Sequence, residues 1–265
     1  MHSIEYALFA SALSGLYTCA WGAFKDGPYE GFSFRTFPRS IFFSIGIALF
    51  LSYGPAGIGE RFLSLPAFHM FLTIMGIERM TTEVYKACFR FNDQSKFLIP
   101  QTMTLLGRPV ESDLRRMATG TALLAGIFGI PFLFMQVSSL TGFALAAFLT
   151  GMFICAGGAY KDAPFEGFSP RKFFRSAIVL SIVSPLIYLL GPVELGFLIY
   201  TFGGLERLLV EYYKSYVIHS VPGKFRPELP RIEDGFFRHR NKLHYLAMGL
   251  LLHVAVSYVL ILRAR

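Results

Sequence analysis

Charge is what this chain has least of. Asp, Glu, Lys and Arg together make up 16% of its 265 residues, against about 25% in an average soluble domain. That shortage argues against a water-soluble globule. Tryptophan occurs once, while phenylalanine occurs 29 times. Only three cysteines are present, Cys19, Cys88 and Cys155, and no CxxC, so neither a disulfide framework nor a zinc knuckle is expected. The histidines show no common repeat position, which excludes a duplicated imidazole metal site. No low-complexity tract occurs.

What is there is apolar sequence: 54% of the residues are hydrophobic, and mean hydropathy is positive. A bilayer core takes roughly 20 apolar residues per helix. Runs approaching that length lie at about 4–24, 40–56, 62–80, 117–137, 140–160, 176–192, 193–210 and 243–262. The chain therefore reads as an all-α, polytopic integral membrane protein of about eight transmembrane helices. The first run lacks a basic leader and carries Glu5, so it is read as a mature span rather than a signal peptide.

The sequence also repeats itself. KDGPYEGFSFRTFPRS at 25–40 returns as KDAPFEGFSPRKFFRS at 161–176. Gly15, Cys19, Ala20, Gly22 and Ala23 return at the same offset as Gly151, Cys155, Ala156, Gly158 and Ala159. A second block, GIERMTTEVYK at 76–86, returns as GGLERLLVEYYK at 203–214. Repetition of this kind sets the architecture. Two tandem four-helix repeats are expected, 1–137 and 138–265, forming one body. An even number of spans per repeat makes the copies parallel. The small residues of the first and fifth runs permit close helix approach.

Of the 25 Lys and Arg, 22 fall in loops 25–39, 78–116, 161–175 and 206–242; the other side holds only Arg61, Arg263 and Arg265. By the positive-inside rule the repeated blocks are cytoplasmic and both termini extracytoplasmic. The net charge of +8 then serves sorting and contact with anionic headgroups, and needs no nucleic acid as partner. In segments 91–115 and 215–241, Pro222, Pro227 and Pro230 break long helices, so short amphipathic pieces at the membrane surface are expected.

The first block supplies acids, Asp26 and Glu30 with Asp162 and Glu166, as candidate Mg²⁺ ligands. Its bases Lys25, Arg35 and Arg39, with Lys161, Arg171 and Arg175, are candidate phosphate ligands. Capping and headgroup anchoring would explain the same residues without a ligand. In the second block, helical spacing puts Arg79, Glu83, Lys86 and Arg90 on one stripe, repeated by Arg207, Glu211 and Lys214. Glu78 and Tyr85 form its neighbour, repeated by Glu206 and Tyr213. Arg79 and Arg207 join the phosphate set, and the other repeated members of both stripes are candidate catalytic groups lining a polar cavity at the cytoplasmic boundary. Helix-gluing ion pairs are the plainer alternative.

The architecture and these blocks resemble the UbiA-type intramembrane prenyltransferases. That family's first motif, Asn-Asp-x-x-Asp-x-x-x-Asp, precedes a basic run of the type K-R-T-x-x-R-P. Here Asp26 and Glu30 stand at comparable places, followed by Arg35, Thr36 and Arg39. Lys25 replaces the family's Asn, and the second motif is reduced to Asp162 and Glu166. The family's Tyr and Lys, two spans after the first motif, match EVYK at Glu83–Lys86. The resemblance implies a membrane enzyme acting on a phosphorylated lipid or prenyl substrate at the cytoplasmic face. A transporter with its pathway on the pseudo-twofold axis, and a structural subunit docking a partner through basic loops, are the alternatives. Few polar residues lie at mid-span, chiefly Ser14, Thr18, Ser44, His69, Thr73, Thr119 and Thr121, which disfavours transport of polar solutes.

Overall fold

A computed structural model describes residues 2–30, 32–91, 100–217 and 240–264, without the side chains of 28–30, 166 and 172. Of the surface segments expected at 91–115 and 215–241, residues 92–99 and 218–239, with the three prolines, lie outside the described residues, and residues 104–109 form a β-hairpin in place of a helical piece.

The fold is all-α. In chain order the helices are α1 (Ile4–Glu30), α2 (Arg39–Ser52), α3 (Ile58–Ser64), α4 (Ala67–Val84), α5 (Asp113–Gly129), α6 (Leu140–Glu166), α7 (Pro170–Phe173), α8 (Arg175–Tyr188), α9 (Leu195–Tyr212) and α10 (Arg240–Arg263). α4 and α9 each continue into one π-helical turn, Tyr85–Phe89 and Tyr213–Val217. Two short antiparallel pairs complete the set. β1 (Thr104–Leu105) pairs with β2 (Arg108–Pro109), and β3 (Gln136–Val137) with β4 (Val193–Glu194).

Among the described residues three helices are long and apolar enough to cross a membrane, over Ile4–Gly27, Leu140–Phe165 and Arg240–Arg263. At 1.5 Å per residue, 24 residues reach about 36 Å, beyond a core of about 30 Å. α2 and α8 have 14 residues each, or about 21 Å. Their apolar runs continue past the helix ends into turns at Gly54-Pro55 and Gly191-Pro192, so hydropathy overstates their helical length.

Helix bounds follow the sequence repeat. α1 and α6 have 27 residues, α2 and α8 have 14, and α4 and α9 have 18. Local signals fix the starts: Ser139 Oγ accepts the Gly142 N–H at 3.0 Å, and Ser112 Oγ that of Arg115 at 3.4 Å. These N-caps satisfy otherwise orphaned donors. α6 ends at Gly167, whose φ of 81° suits glycine.

The chain forms two compact units, residues 1–78 with 225–265, and residues 79–224. In the first, α1 packs on α2 and α10. Gly15 makes the close approach: a Cβ there would lie 2.5 Å from Ser40 O and 2.6 Å from Ile41 Cα. Ser14 Oγ donates to Phe71 O at 3.0 Å. Met70, Phe71, Leu72, Ile74 and Met75 of α4 are buried in the core with Tyr17, Ile47, Leu51 and Phe62. α10 covers the Trp21–Phe24 face of α1, where Arg240 Nε donates to Phe24 O at 2.6 Å and the His244 and Phe24 rings lie 4.7 Å apart.

In the second unit α6 packs on α8 and α9. Gly151 occupies the place of Gly15, against the backbone of Ser176 and Ala177. α5 packs on the π turn after α4, with Gly120 against Cys88 and Phe89. Tyr200 of α9 donates its hydroxyl to Ile127 O of α5. The units interleave the sequence copies: the fourth apolar run of the first copy, α5, is in the second unit, and that of the second copy, α10, is in the first.

Candidate functional site

In each unit the last residue of the first block meets the buried acid of the second. Ser40 Oγ donates to Glu78 Oε1 at 2.8 Å, and Ser176 Oγ to Glu206 Oε1 at 2.6 Å. Both glutamates are 2% exposed. The glycine crossings explain the placement, since Gly15 and Gly151 bring α1 and α6 onto the first turns of α2 and α8, where these serines sit. Sequence reasoning missed the serines, although both stand at one offset inside the repeated block.

Arg79 Nη1 donates to Glu206 Oε2, which leaves both oxygens of that carboxylate engaged. The guanidinium also lies in the field of Glu211 and Glu83. Glu83 in turn receives Lys161 Nζ at 3.0 Å and Lys86 Nζ at 3.4 Å. A candidate catalytic carboxylate and a candidate phosphate ligand of the sequence reading are thus partners. This network is an ion-paired cluster, with Glu206 buried and Glu83 about half exposed.

The single stripe expected for Arg79, Glu83, Lys86 and Arg90 needs correction at its end. The π turn shifts the register after Val84, and Arg90 adopts extended backbone (φ −93°, ψ 117°). Tyr85 and Tyr213 lie on the π turns and are exposed. Arg207, Glu211 and Lys214 are half-buried along the end of α9 and its π turn, each with interactions. Burial pushes the Cys88 thiol pKa up, with nearby Arg116 opposing.

The first block lies on helix ends. α1 and α6 run through Asp26 and Asp162, with Pro164 inside the last turn of α6. Asp26 pairs with Lys25 at 3.7 Å. The side chains of Glu30 and Glu166 lie outside the described residues. Among the described residues no group of three or more His, Cys, Asp or Glu is placed to share a metal ion.

The four arginines of this block differ from its lysines Lys25 and Lys161, which are ion-paired. Arg35, Arg39 and Arg171 are exposed and Arg175 is half-buried. Among the described residues none of the four forms an ion pair. Arg39 Nε donates to Thr36 O at 3.1 Å, and Arg175 Nε meets no acceptor. Arg39 and Arg175 open α2 and α8, whose cap residues Pro38 and Phe174 make no side-chain capping bond. Each unit therefore presents a helix start with two guanidinium groups nearby that form no ion pair among the described residues.

Comparison with protein-family models, with curated proteins and with solved structures gives no match.

Proposed function

We propose that this chain is an integral membrane protein that binds a phosphate-bearing lipid or prenyl substrate at its cytoplasmic face, as a membrane enzyme would. The carrying observation is the contrast among its bases. Among the described residues Lys25, Arg79, Lys86 and Lys161 of the repeated blocks are ion-paired, whereas Arg35, Arg39, Arg171 and Arg175 are not. Guanidinium forks match phosphate oxygens, and an uncapped helix start favours an anion. In this reading all eight apolar runs are membrane-embedded. The 22 basic residues of the repeated-block side face the cytoplasm, and both termini lie outside. Mg²⁺ is the proposed counter-ion for a diphosphate, at Asp26 and Glu30 or Asp162 and Glu166.

The test is retention of an isoprenyl phosphate against the matching isoprenol by the purified chain, read by native mass spectrometry. Wild type is expected to retain the phosphate and release the alcohol. A hydrogen bond to a charged group contributes about 1.5–3 kcal/mol, so Arg171→Ala with Arg175→Ala should cut retention tenfold or more, with unchanged thermal unfolding. Equal retention of phosphate and alcohol would overturn the reading. Retention that survives EDTA would remove Mg²⁺ from it while keeping the arginines.

A further inference from the structure

The β1–β2 hairpin ends in an apolar tip that is exposed among the described residues. Leu105 is 59% exposed and Leu106 is 84% exposed. The turn residues Leu106 and Gly107 have φ of 49° and 80°, a two-residue turn in which Asn-Gly is the usual pair and leucine is disfavoured. The base of the hairpin is held firmly. Met103 N–H donates to Ala87 O at 2.9 Å, Val110 N–H to Met103 O at 2.9 Å, and Tyr160 Oη to Thr104 O at 3.2 Å. A Cβ on Gly107 would lie 2.8 Å from Pro164 Cβ. The tip is therefore fixed beside the last turn of α6.

That position carries the argument. α6 is long and apolar enough to cross a membrane as far as Phe165, so its last turn marks where the apolar layer gives way to headgroups. Its outer face exposes Leu145, Leu149, Phe153 and Tyr160, and the hairpin leucines extend this apolar band. Arg108, exposed beside the tip, suits lipid phosphate. Of the acids that follow, Asp113 is paired with Arg116 at 3.5 Å, and Glu111 lies beyond β2.

We infer that the Leu105–Leu106 tip inserts into the interfacial layer of the bilayer on the side where α6 ends, with Arg108 at the lipid phosphates. This rests on the membrane reading above and is independent of the arginine site. The experiment places a spin label at Leu106→Cys, and separately at Leu105→Cys, in the full chain in phosphatidylcholine–phosphatidylglycerol nanodiscs. The three native cysteines are buried. Reference labels go at Phe153→Cys, on the outer face of α6, and at Glu111→Cys. Collision with oxygen and with a nickel chelate reports depth. The expected result is a lipid-facing Phe153 label and a tip label whose oxygen-to-nickel ratio exceeds that at Glu111 several-fold. A lipid-facing Phe153 label with both tip labels as nickel-accessible as Glu111 would overturn the insertion alone. A nickel-accessible Phe153 label would overturn the membrane reading beneath it.

Discussion

Ser176 and Glu206 sit 2.6 Å apart, hydroxyl to carboxylate, in a place that is 4% exposed for the serine and 2% for the acid. The same pair recurs as Ser40 and Glu78 at 2.8 Å. A buried carboxylate needs such donors, because its desolvation is otherwise uncompensated.

Ser176→Ala removes one donor and leaves Glu206 Oε1 unsatisfied. The expected loss is about 1–3 kcal/mol of stability, read as a lower thermal midpoint in a single detergent. Ser40→Ala should cost a similar amount. Unchanged midpoints in both variants would mean that water reaches the carboxylates.

Arg79→Ala strands Glu206 more severely. Breaking a buried pair costs about 3–5 kcal/mol, reduced here because the Arg79 side chain is 29% exposed. The variant should express poorly or unfold early, and Arg79→Ala combined with Glu206→Gln should recover much of the loss. A normal midpoint for Arg79→Ala would restore the wet, ligand-lined cavity as the better account.

Gly151→Leu should separate α6 from α8, since even a Cβ at that position meets the Ala177 backbone. Overpacking of this kind costs about 1–3 kcal/mol or more. Gly22→Ala is the control: nothing lies within 4 Å of a Cβ there, and helix propensity favours alanine by roughly 0.5–1 kcal/mol. Chemical denaturation of the two variants should move in opposite directions.

Sidedness can be read by thiol labelling. Cysteines at Ser138 and Pro192 should react from outside, and ones at Ser33 and Ser169 only from the cytoplasm, given the distribution of Lys and Arg. The native chain should stay silent, because Cys19, Cys88 and Cys155 are buried. At Cys88 burial also raises the thiol pKa, so little thiolate forms at neutral pH. Cytoplasmic labelling at Ser138 would reverse the orientation.

The helical class and the repeat were legible because hydropathy and offset are properties of contiguous sequence. The bounds of α1 and α6, or of α2 and α8, differ by the same 136 residues as the repeated blocks. The span lengths were less legible, since an apolar run such as 40–56 does not announce that its helix ends at Ser52, before Gly54-Pro55. Of the stripe expected to hold Glu78 with Tyr85 and Glu206 with Tyr213, the tyrosines are exposed and the glutamates buried. Their serine partners lie 38 and 30 residues away in sequence, a pairing that spacing cannot report. Arg90 was misplaced because a π turn looks like an α-helix to a periodicity of 3.6. Lys161 and Glu83 are 78 residues apart, so their pairing depends on tertiary structure alone.

The first compact unit draws its helices from both ends of the chain, 2–78 and 240–264. Trp21 and Phe24 on α1 are met by His244 and Arg240 of α10. During synthesis, at about 5–20 residues per second, α1 (Ile4–Glu30) precedes α10 (Arg240–Arg263) in the chain. That face of α1 is therefore left bare while some two hundred residues are made. The second unit, continuous from 79 to 224, has every segment it needs before then. The continuous unit can therefore close on itself before the discontinuous one has all its helices.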